Sequence, residues 1–531
     1  MEAQLSDADD LLTALRACAG EAAVRTDEAA RALAASDVHV TGHLPLAVVR
    51  PTTAENLARA IHAATSRGYA VIARGGGLSY TGGYAPPHER CVTIDTSALN
   101  RIVTVADEDL YVSAQAGVTW KQLYDVLQSR GLRLPFFGTF SGAGATIGGG
   151  LSHGALFLGS ARHGGAADIA LGLEVALADG TLLRTGQGAL KRPSKPVWRG
   201  FGPDLTGLFL HDGGAFGIKT EATLRLIRTP AVEDYRSFAL PTLAAAADAL
   251  SAVAREGLAE EAYVLEGEAA SGNAARSGTK LRAALATLRA ARSPSAAVAA
   301  LSALAGGMPQ GTWLLHIVLS GRSRAAVAAD ADALSALLRP IGAKPVGGLV
   351  PRAVRAEPFP GLDAIVDPDG SRWAALNAKA AHSDRQVLIG GGEAILARRR
   401  DDMAAAGVRA TRLFSALGRN VFSYEVVFHW KDQWLPIHRA SLSSHARRAI
   451  AEPPPAEAAH ALVDELRAEF VEHFGTMGLA SNQIGRTYPF RSALSDGPGG
   501  LIDAIKAAVD PQSAMNPCVL GLGVRPPRFH A

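Results

Sequence analysis

The chain has 531 residues, 48% of them hydrophobic and 19% charged, and a formal net charge of +3. This composition excludes a disordered or fibrous protein and leaves room for two or three globular domains. So small a net charge gives no electrostatic case for nucleic acid or a membrane surface as the main partner.

The three cysteines, Cys18, Cys91 and Cys518, are far apart and make no CxxC or metal-binding spacing, which fits a reducing compartment. The start MEAQLSDADDLL is acidic and lacks a basic-then-apolar leader. No run of about 18 uncharged apolar residues suggests a membrane span, so a cytoplasmic location is expected.

Residues 1–40 read as an N-terminal helical segment. Thr52 and Glu55 have the spacing of a capping box, and Leu57, Ala60, Ile61 and Ala64 follow at helical spacing until Gly68. The apolar run 70–73 reads as a buried strand that leads into RGGGLSYTGGY, residues 74–84. Strands are expected at Cys91–Asp95, 102–105 and 111–116, and a helix at 119–129 closed by Gly131. A second glycine-rich stretch occupies 135–165. Asp179-Gly180 then marks a hairpin, and GAFGIKTEATLRLI ends on an alternating strand.

From residue 229 the texture changes. Strand-like 237–240, 262–265, 312–319 and Val421–Trp430 alternate with alanine-rich helical segments at 243–255, 281–291 and Arg324–Leu338. The alanine-rich stretch 283–305 reads as a surface helix broken at Ser293-Pro294, and 501–523 as a short helix followed by a tail. This pattern predicts an α+β domain whose sheet is covered by helices. No repeat of 20–50 residues is present.

A glycine loop after a strand suggests phosphate binding through exposed backbone N–H groups. The familiar fingerprints do not fit. GxxxxGK[ST] is absent, and GxGxxG fails because Tyr80 and Ile147 stand where the third glycine would be.

The motifs RGGGLSYTGG, SGAGATIGGGLSHGALFLGS, LGLEVALADG and GAFGIKTEATLRL, in that order, resemble the vanillyl-alcohol oxidase/p-cresol methylhydroxylase flavoprotein family. The resemblance covers 46–228 and the tail DPQSAMNPCVLG. It implies an α+β fold with a two-part FAD-binding domain of small parallel and antiparallel sheets at 41–228. A substrate or cap domain with a helix-covered antiparallel sheet would occupy 229–500, and 501–531 would return to the FAD-binding domain.

By the same resemblance, Gly75, Gly76, Gly77, Leu78, Ser79, Tyr80, Thr81 and Gly82 cradle the FAD pyrophosphate. Ser141, Gly144, Ala145, Thr146, Gly148, Gly149, Ser152 and His153 lie along the flavin, and Gly217, Ile218 and Asn516 pack against it. Several N–H donors in a small arc suit two phosphates, and glycine removes the Cβ atoms that would block approach. Some relatives carry a flavin-bonded histidine where this chain has Leu78, and no cysteine occurs in the second glycine stretch. Non-covalent FAD is therefore expected, with a linkage from the substrate domain left open.

Two stretches are candidates for catalysis. As a strand, FSYEVVFHW sets Glu425, Val427 and His429 on one face and Tyr424, Val426, Phe428 and Trp430 on the other. In QIGRTYPF, alternation would aim Arg486 and Tyr488 together, the arginine suited to a substrate carboxylate and the tyrosine to an alcohol or phenolate. No metal is expected, since HExxH and HxGDGNxH are both absent. His438, His445, His460 and His473 read as solvated helix faces.

The leading expectation is an FAD-dependent oxidoreductase acting on a small organic alcohol or 2-hydroxy acid, with oxygen or a separate electron acceptor as second partner. Lactate-dehydrogenase-like relatives are favoured. Oxidation of a phenolic substrate is the runner-up and predicts a tyrosine-lined pocket around Tyr424 and Tyr488. An NADPH-dependent reductase and a non-catalytic flavin-binding protein are the other readings. Oxidase versus dehydrogenase and a homodimer stay open.

Overall fold

The computed structural model describes residues 2–266 and 312–523. The helices expected at 281–291 and 283–305 lie outside the described residues. The helix Ala54–Thr65 forms as the spacing predicts, but its N-cap is Thr53, not Thr52: the Thr53 hydroxyl accepts from Asn56 N at 3.1 Å. Leu57 and Ile61 bury its inner face against Leu11 and Leu15 of the helix Glu2–Ala19, and against Val71 and Val92.

That helix is the crossover of a four-stranded sheet ordered Val24–Arg25, Ala47–Val49, Cys91–Asp95, Ala70–Arg74, whose last three strands run parallel. Beside it, Ile102–Ala106, Tyr111–Gln115, Ile218–Arg225, Ala170–Ala176 and Leu182–Arg184 form an antiparallel sheet of five. Gly180 makes the expected turn between the last two with φ +82°.

The third large sheet has seven antiparallel strands, ordered Lys344–Pro345, Val232–Leu240, Trp313–Gly321, Glu261–Glu266, Arg409–Leu417, Val421–Trp430, Arg372–Ala380. One face is buried under the helices Leu243–Glu256, Arg324–Leu338, Arg385–Arg398 and Glu457–Thr476. Leu250, Leu334, Leu388 and Phe470 pack there on Ile317, Phe414, Tyr424 and Phe428. Thr242 and Ser323 cap two of these helices by accepting from Ala245 N and Ala326 N. The other face of the sheet looks toward the two smaller sheets.

A buried ion network ties the halves together. Arg133, beside the glycine loops, pairs with Glu260, and Arg355 reaches Glu260 at 2.6 Å and Glu233 at 2.9 Å. Three histidines depart from the solvated reading, His473 among them, its Nε2 3.0 Å from Leu388 O. His438 is fully buried and its Nδ1 accepts from Leu435 N at 3.0 Å. His460 stacks on buried His39, ring centroids 5.3 Å apart.

Candidate active site

The strand Ala70–Arg74 delivers the first glycine loop, and what approaches that loop most closely is the second one. A Cβ on Gly75 would lie 2.4 Å from Thr146 Oγ1, and one on Gly76 would lie 2.1 Å from Gly144 O. Both distances are far inside contact, so only glycine lets the two loops interlock. Thr146 caps the short helix Ile147–His153, accepting from Gly149 N at 3.2 Å.

The loop is braced from behind. Arg74 is buried and donates to Ser36 O at 2.8 Å, and Tyr84 OH accepts from Ser79 N at 2.7 Å. Asp37, also buried, accepts from the backbone N–H groups of His39, Val40 and Gly82, each at 2.7 Å. Two of these partners are local, at two and three residues beyond Asp37, and the fold brings the third, Gly82.

The two loops form one wall of a cavity of about 2070 Å³, and the seven-stranded sheet forms the facing wall. Ordinary small-molecule sites occupy roughly 300–1,000 Å³, so this cavity has room for a dinucleotide and a second molecule. Gly75, Gly76, Gly77, Leu78, Ser79, Tyr80, Ser141, Ala145, Thr146, Gly148, Gly149, Ser152, His153, Gly217 and Ile218 line it. Burial pushes the His153 imidazole down to about 4, which keeps it neutral.

Four of the expected cofactor residues stand behind the wall. Thr81 and Gly82 turn toward Ser79 and Asp37, and Gly144 packs on Gly76. Asn516 holds the tail against the loops, donating to Gly83 O at 2.7 Å and Gly213 O at 2.5 Å.

On the sheet side, Glu425, Val427 and His429 face the cavity, and Tyr424, Val426, Phe428 and Trp430 are in the core. His429 Nδ1 is 2.7 Å from Asp367 Oδ2, and its Nε2 is 3.0 Å from Thr411 Oγ1. The register sets Glu425 opposite Asn377, two pairs along from Ser423 and Lys379 and on the same face.

Lys379 Nζ donates to Asn377 Oδ1 at 2.8 Å and Ser423 Oγ at 2.9 Å, which leaves one of its three N–H groups unspent. Glu425 accepts no hydrogen bond among the described residues. Burial pushes its carboxyl up and the Lys379 ammonium down, while their mutual attraction opposes both shifts.

Arg486 and Tyr488 do not take the places expected of them. Residues 481–490 form turns, not a strand, so alternation does not apply. The buried Arg486 guanidinium donates to Gly82 O at 2.7 Å, to Ala85 O and to Pro517 O at 2.9 Å, and has no seat on the cavity wall. Tyr488 OH accepts from Asn377 N at 2.7 Å, bracing the strand that carries Lys379. Tyr424 and Tyr488 thus do not line the cavity as expected; its aromatic lining includes Tyr80 and Trp373, edge to face at 5.8 Å, and Tyr263.

Lys379 and Asn377 were missed because RWAALNAKA has the composition of a helix. A period of two, placing Trp373, Ala375, Asn377 and Lys379 on one face, was the available signal. Away from the cavity, His39, His460 and Asp464 bring potential ligand atoms within 4.8 Å of one another, and His39 Nε2 sits 2.8 Å from Asp464 Oδ1.

An interlocked double glycine loop faces a helix-backed sheet across this cavity, and comparison with known proteins specifies what such a pair of loops holds. Residues 45–186 match the family model described as FAD binding domain. The chain thus carries an FAD-binding domain with FAD as its cofactor, and it has the two-part fold of the p-cresol methylhydroxylase type, as the sequence resemblance implies.

Over 216 residues it is 30% identical to the mitochondrial D-lactate dehydrogenase [cytochrome] 1 of Saccharomyces cerevisiae, covering 40% of this chain and 35% of that protein. Over 203 residues it is 29% identical to the flavoprotein subunit of 4-cresol dehydrogenase [hydroxylating] of Pseudomonas putida, covering 37% of each. The match therefore spans little more than a third of these relatives' length. Among solved structures, p-cresol methylhydroxylase with substrate bound superposes with a TM-score of 0.74 at 19% identity, covering 98% of this chain and 97% of that one. The 4-ethylphenol oxidase from Gulosibacter chungangensis gives 0.69 at 17% identity, covering 98% of both.

No helix among the described residues is long and apolar enough to cross a membrane.

Proposed function

We propose that this chain is an FAD-dependent oxidoreductase that oxidises a small organic alcohol or 2-hydroxy acid. The observation that carries the reading is the Lys379–Glu425 pair on the cavity wall facing the glycine loops: a carboxylate without a donor beside a cation with an N–H to spare.

Residues 75–80, 145–149 and 217–218 hold the FAD, the first loop through backbone N–H groups that its glycines leave uncovered. When bound, the flavin supplies the two-electron acceptor for the substrate C–H bond. Lys379 anchors the substrate oxygen or carboxylate through its remaining N–H, in the role first expected of Arg486. Glu425, on the neighbouring strand, takes the hydroxyl proton; a carboxyl raised by burial is better matched to that task near neutrality.

His429 has both ring nitrogens engaged: Asp367 can only accept, so Nδ1 donates to it, and Nε2 shares a hydrogen bond with the Thr411 hydroxyl. This arrangement makes His429 a fixed polar wall at one end of the site. Leu78 stands where a covalent linkage would form in some relatives, which supports non-covalent binding at that position.

A phenolic substrate is the second reading, favoured by the edge-to-face Tyr80–Trp373 wall. Purification followed by an absorption spectrum and anaerobic titration tests both. A flavin spectrum bleached by alcohols or 2-hydroxy acids supports the proposal, and bleaching by phenols alone favours the second reading. A protein that stays colourless with added FAD, or is bleached only by NADPH, overturns both.

A further inference from the structure

A row of six polar side chains crosses the cavity wall, one from each of six adjacent strands. The register pairs Ser237 with His316, His316 with Tyr263, Tyr263 with Ser415, Ser415 with Ser423, and Ser423 with Lys379. Sheet interiors seldom line up polar groups in this way.

The two ends of the row are satisfied: Ser237 Oγ lies 2.8 Å from His316 Nδ1, and Lys379 Nζ donates to Ser423 Oγ. The middle is not. His316 Nε2, Tyr263 OH and Ser415 Oγ have no hydrogen-bond partner, although these residues are only 1%, 3% and 4% exposed and all three line the cavity. Buried polar atoms are almost always partnered in native proteins, so three orphans in one row point to a ligand that completes them.

Two residues along the strands, the adjacent row is apolar on the three strands that carry the orphans, where Leu314, Leu265 and Leu413 stand in register on the same wall, and it turns polar only beyond them at Glu425 and Asn377. Leu349 and Val350 of the helix Leu349–Ala356 line the same cavity. The charges that act on Tyr263, Glu261 and Arg355, are paired with each other. Burial holds His316 neutral, pushing it down to about 3, and keeps Tyr263 protonated. All three orphans are therefore uncharged.

Resting on the oxidoreductase reading, we propose that the substrate is elongated: its reacting end lies at Lys379 and Glu425, and its apolar body carries an uncharged hydroxyl or carbonyl group seated between Ser415 and Tyr263, with His316 one strand beyond. At a strand spacing of roughly 4.8 Å, Ser415 lies about 10 Å and Tyr263 about 14 Å from Lys379 along the row.

The test uses the FAD-loaded enzyme and two series of 2-hydroxy acids of about four to twelve carbons, chosen to span that distance, one plain and one bearing a terminal hydroxyl. Binding is read from the shift in flavin absorbance and reduction from anaerobic bleaching. A terminal hydroxyl should tighten binding at least tenfold at one chain length, and this preference should collapse in Tyr263→Phe and in Ser415→Ala. No preference at any length overturns the proposal. So does a Tyr263→Phe enzyme that keeps the preference, or one that loses only FAD affinity, since the row would then serve the cofactor. If the compounds bind with the preference but none bleaches the flavin, the oxidoreductase reading fails and the polar row stands as a binding site.

Discussion

Gly76 and Gly144 face each other so closely that a single Cβ on Gly76 would stand 2.1 Å from the Gly144 carbonyl oxygen. The triple glycine of the first loop is therefore a packing requirement between two loops as well as an opening for a ligand. Gly76→Ala should separate the loops and weaken FAD binding at least tenfold, read by fluorescence titration of the apoprotein with FAD. Gly188→Ala, where a Cβ would meet nothing within 4 Å, should leave that affinity unchanged.

On the proposed mechanism, Glu425 and Lys379 set the pH dependence of turnover. Burial raises the Glu425 carboxyl, so the unprotonated base accumulates only as pH rises into the neutral range. Burial lowers the Lys379 ammonium, so the anchoring charge is lost as pH rises further. The profile of kcat/KM should be a bell belonging to the pair. Glu425→Gln should remove its acidic limb and cut kcat by roughly 10²–10⁴, and Lys379→Met should remove the alkaline limb and raise KM for 2-hydroxy acids. An unchanged profile in both variants would take the pair out of the chemistry.

Arg486 makes a different prediction from the one its sequence neighbourhood suggests. Its substitution by methionine strips three half-buried carbonyls of a charged donor, which should cost roughly 1–3 kcal/mol of stability. Thermal unfolding should show the loss, and FAD retention should fall with it. In enzyme reloaded with FAD, KM for 2-hydroxy acids should stay near the wild-type value, because Arg486 faces the loops and tail and not the cavity.

His438 reports on acid stability. Burial, with the charges of Arg372 and Arg439 beside it, pushes its imidazole down to about 3 from an ordinary 6.5. A depressed folded value means that its contribution is present above pH 6.5 and is lost as pH falls toward 3. Its Nδ1 accepts the Leu435 N–H, a bond that protonation there would break. His438→Asn keeps an acceptor without the titration, so its Tm should decline less steeply than the wild type's over that window in a series of thermal melts.

Much of the cradle was legible because turns and close approaches demand glycine whatever surrounds them, and the Val421–Trp430 strand announced its faces by strict alternation. Arg372–Ala380 and Arg409–Leu417 were hidden, since alanine, leucine and arginine favour helix locally and only pairing within a seven-stranded sheet overrides that preference. Lys379 went unseen with its strand. Arg486 and Tyr488 misled for the opposite reason: an apparent alternation lies in a turn, where successive side chains follow the backbone's bends and not a pleat.

The guanidinium of Arg486 and the amide of Asn516 also govern when the cradle can exist. They join a loop built from residues 75–85 to a tail at 516–517, so more than 400 residues separate the partners in the chain. During synthesis the first loop leaves the ribosome long before its clamp does. A nascent chain would meet FAD with a slack loop, and tight capture should begin only after residue 517 has emerged. Cofactor loading then reports that this length of chain has been made and folded, and ribosome-bound chains stalled before that point should remain without flavin.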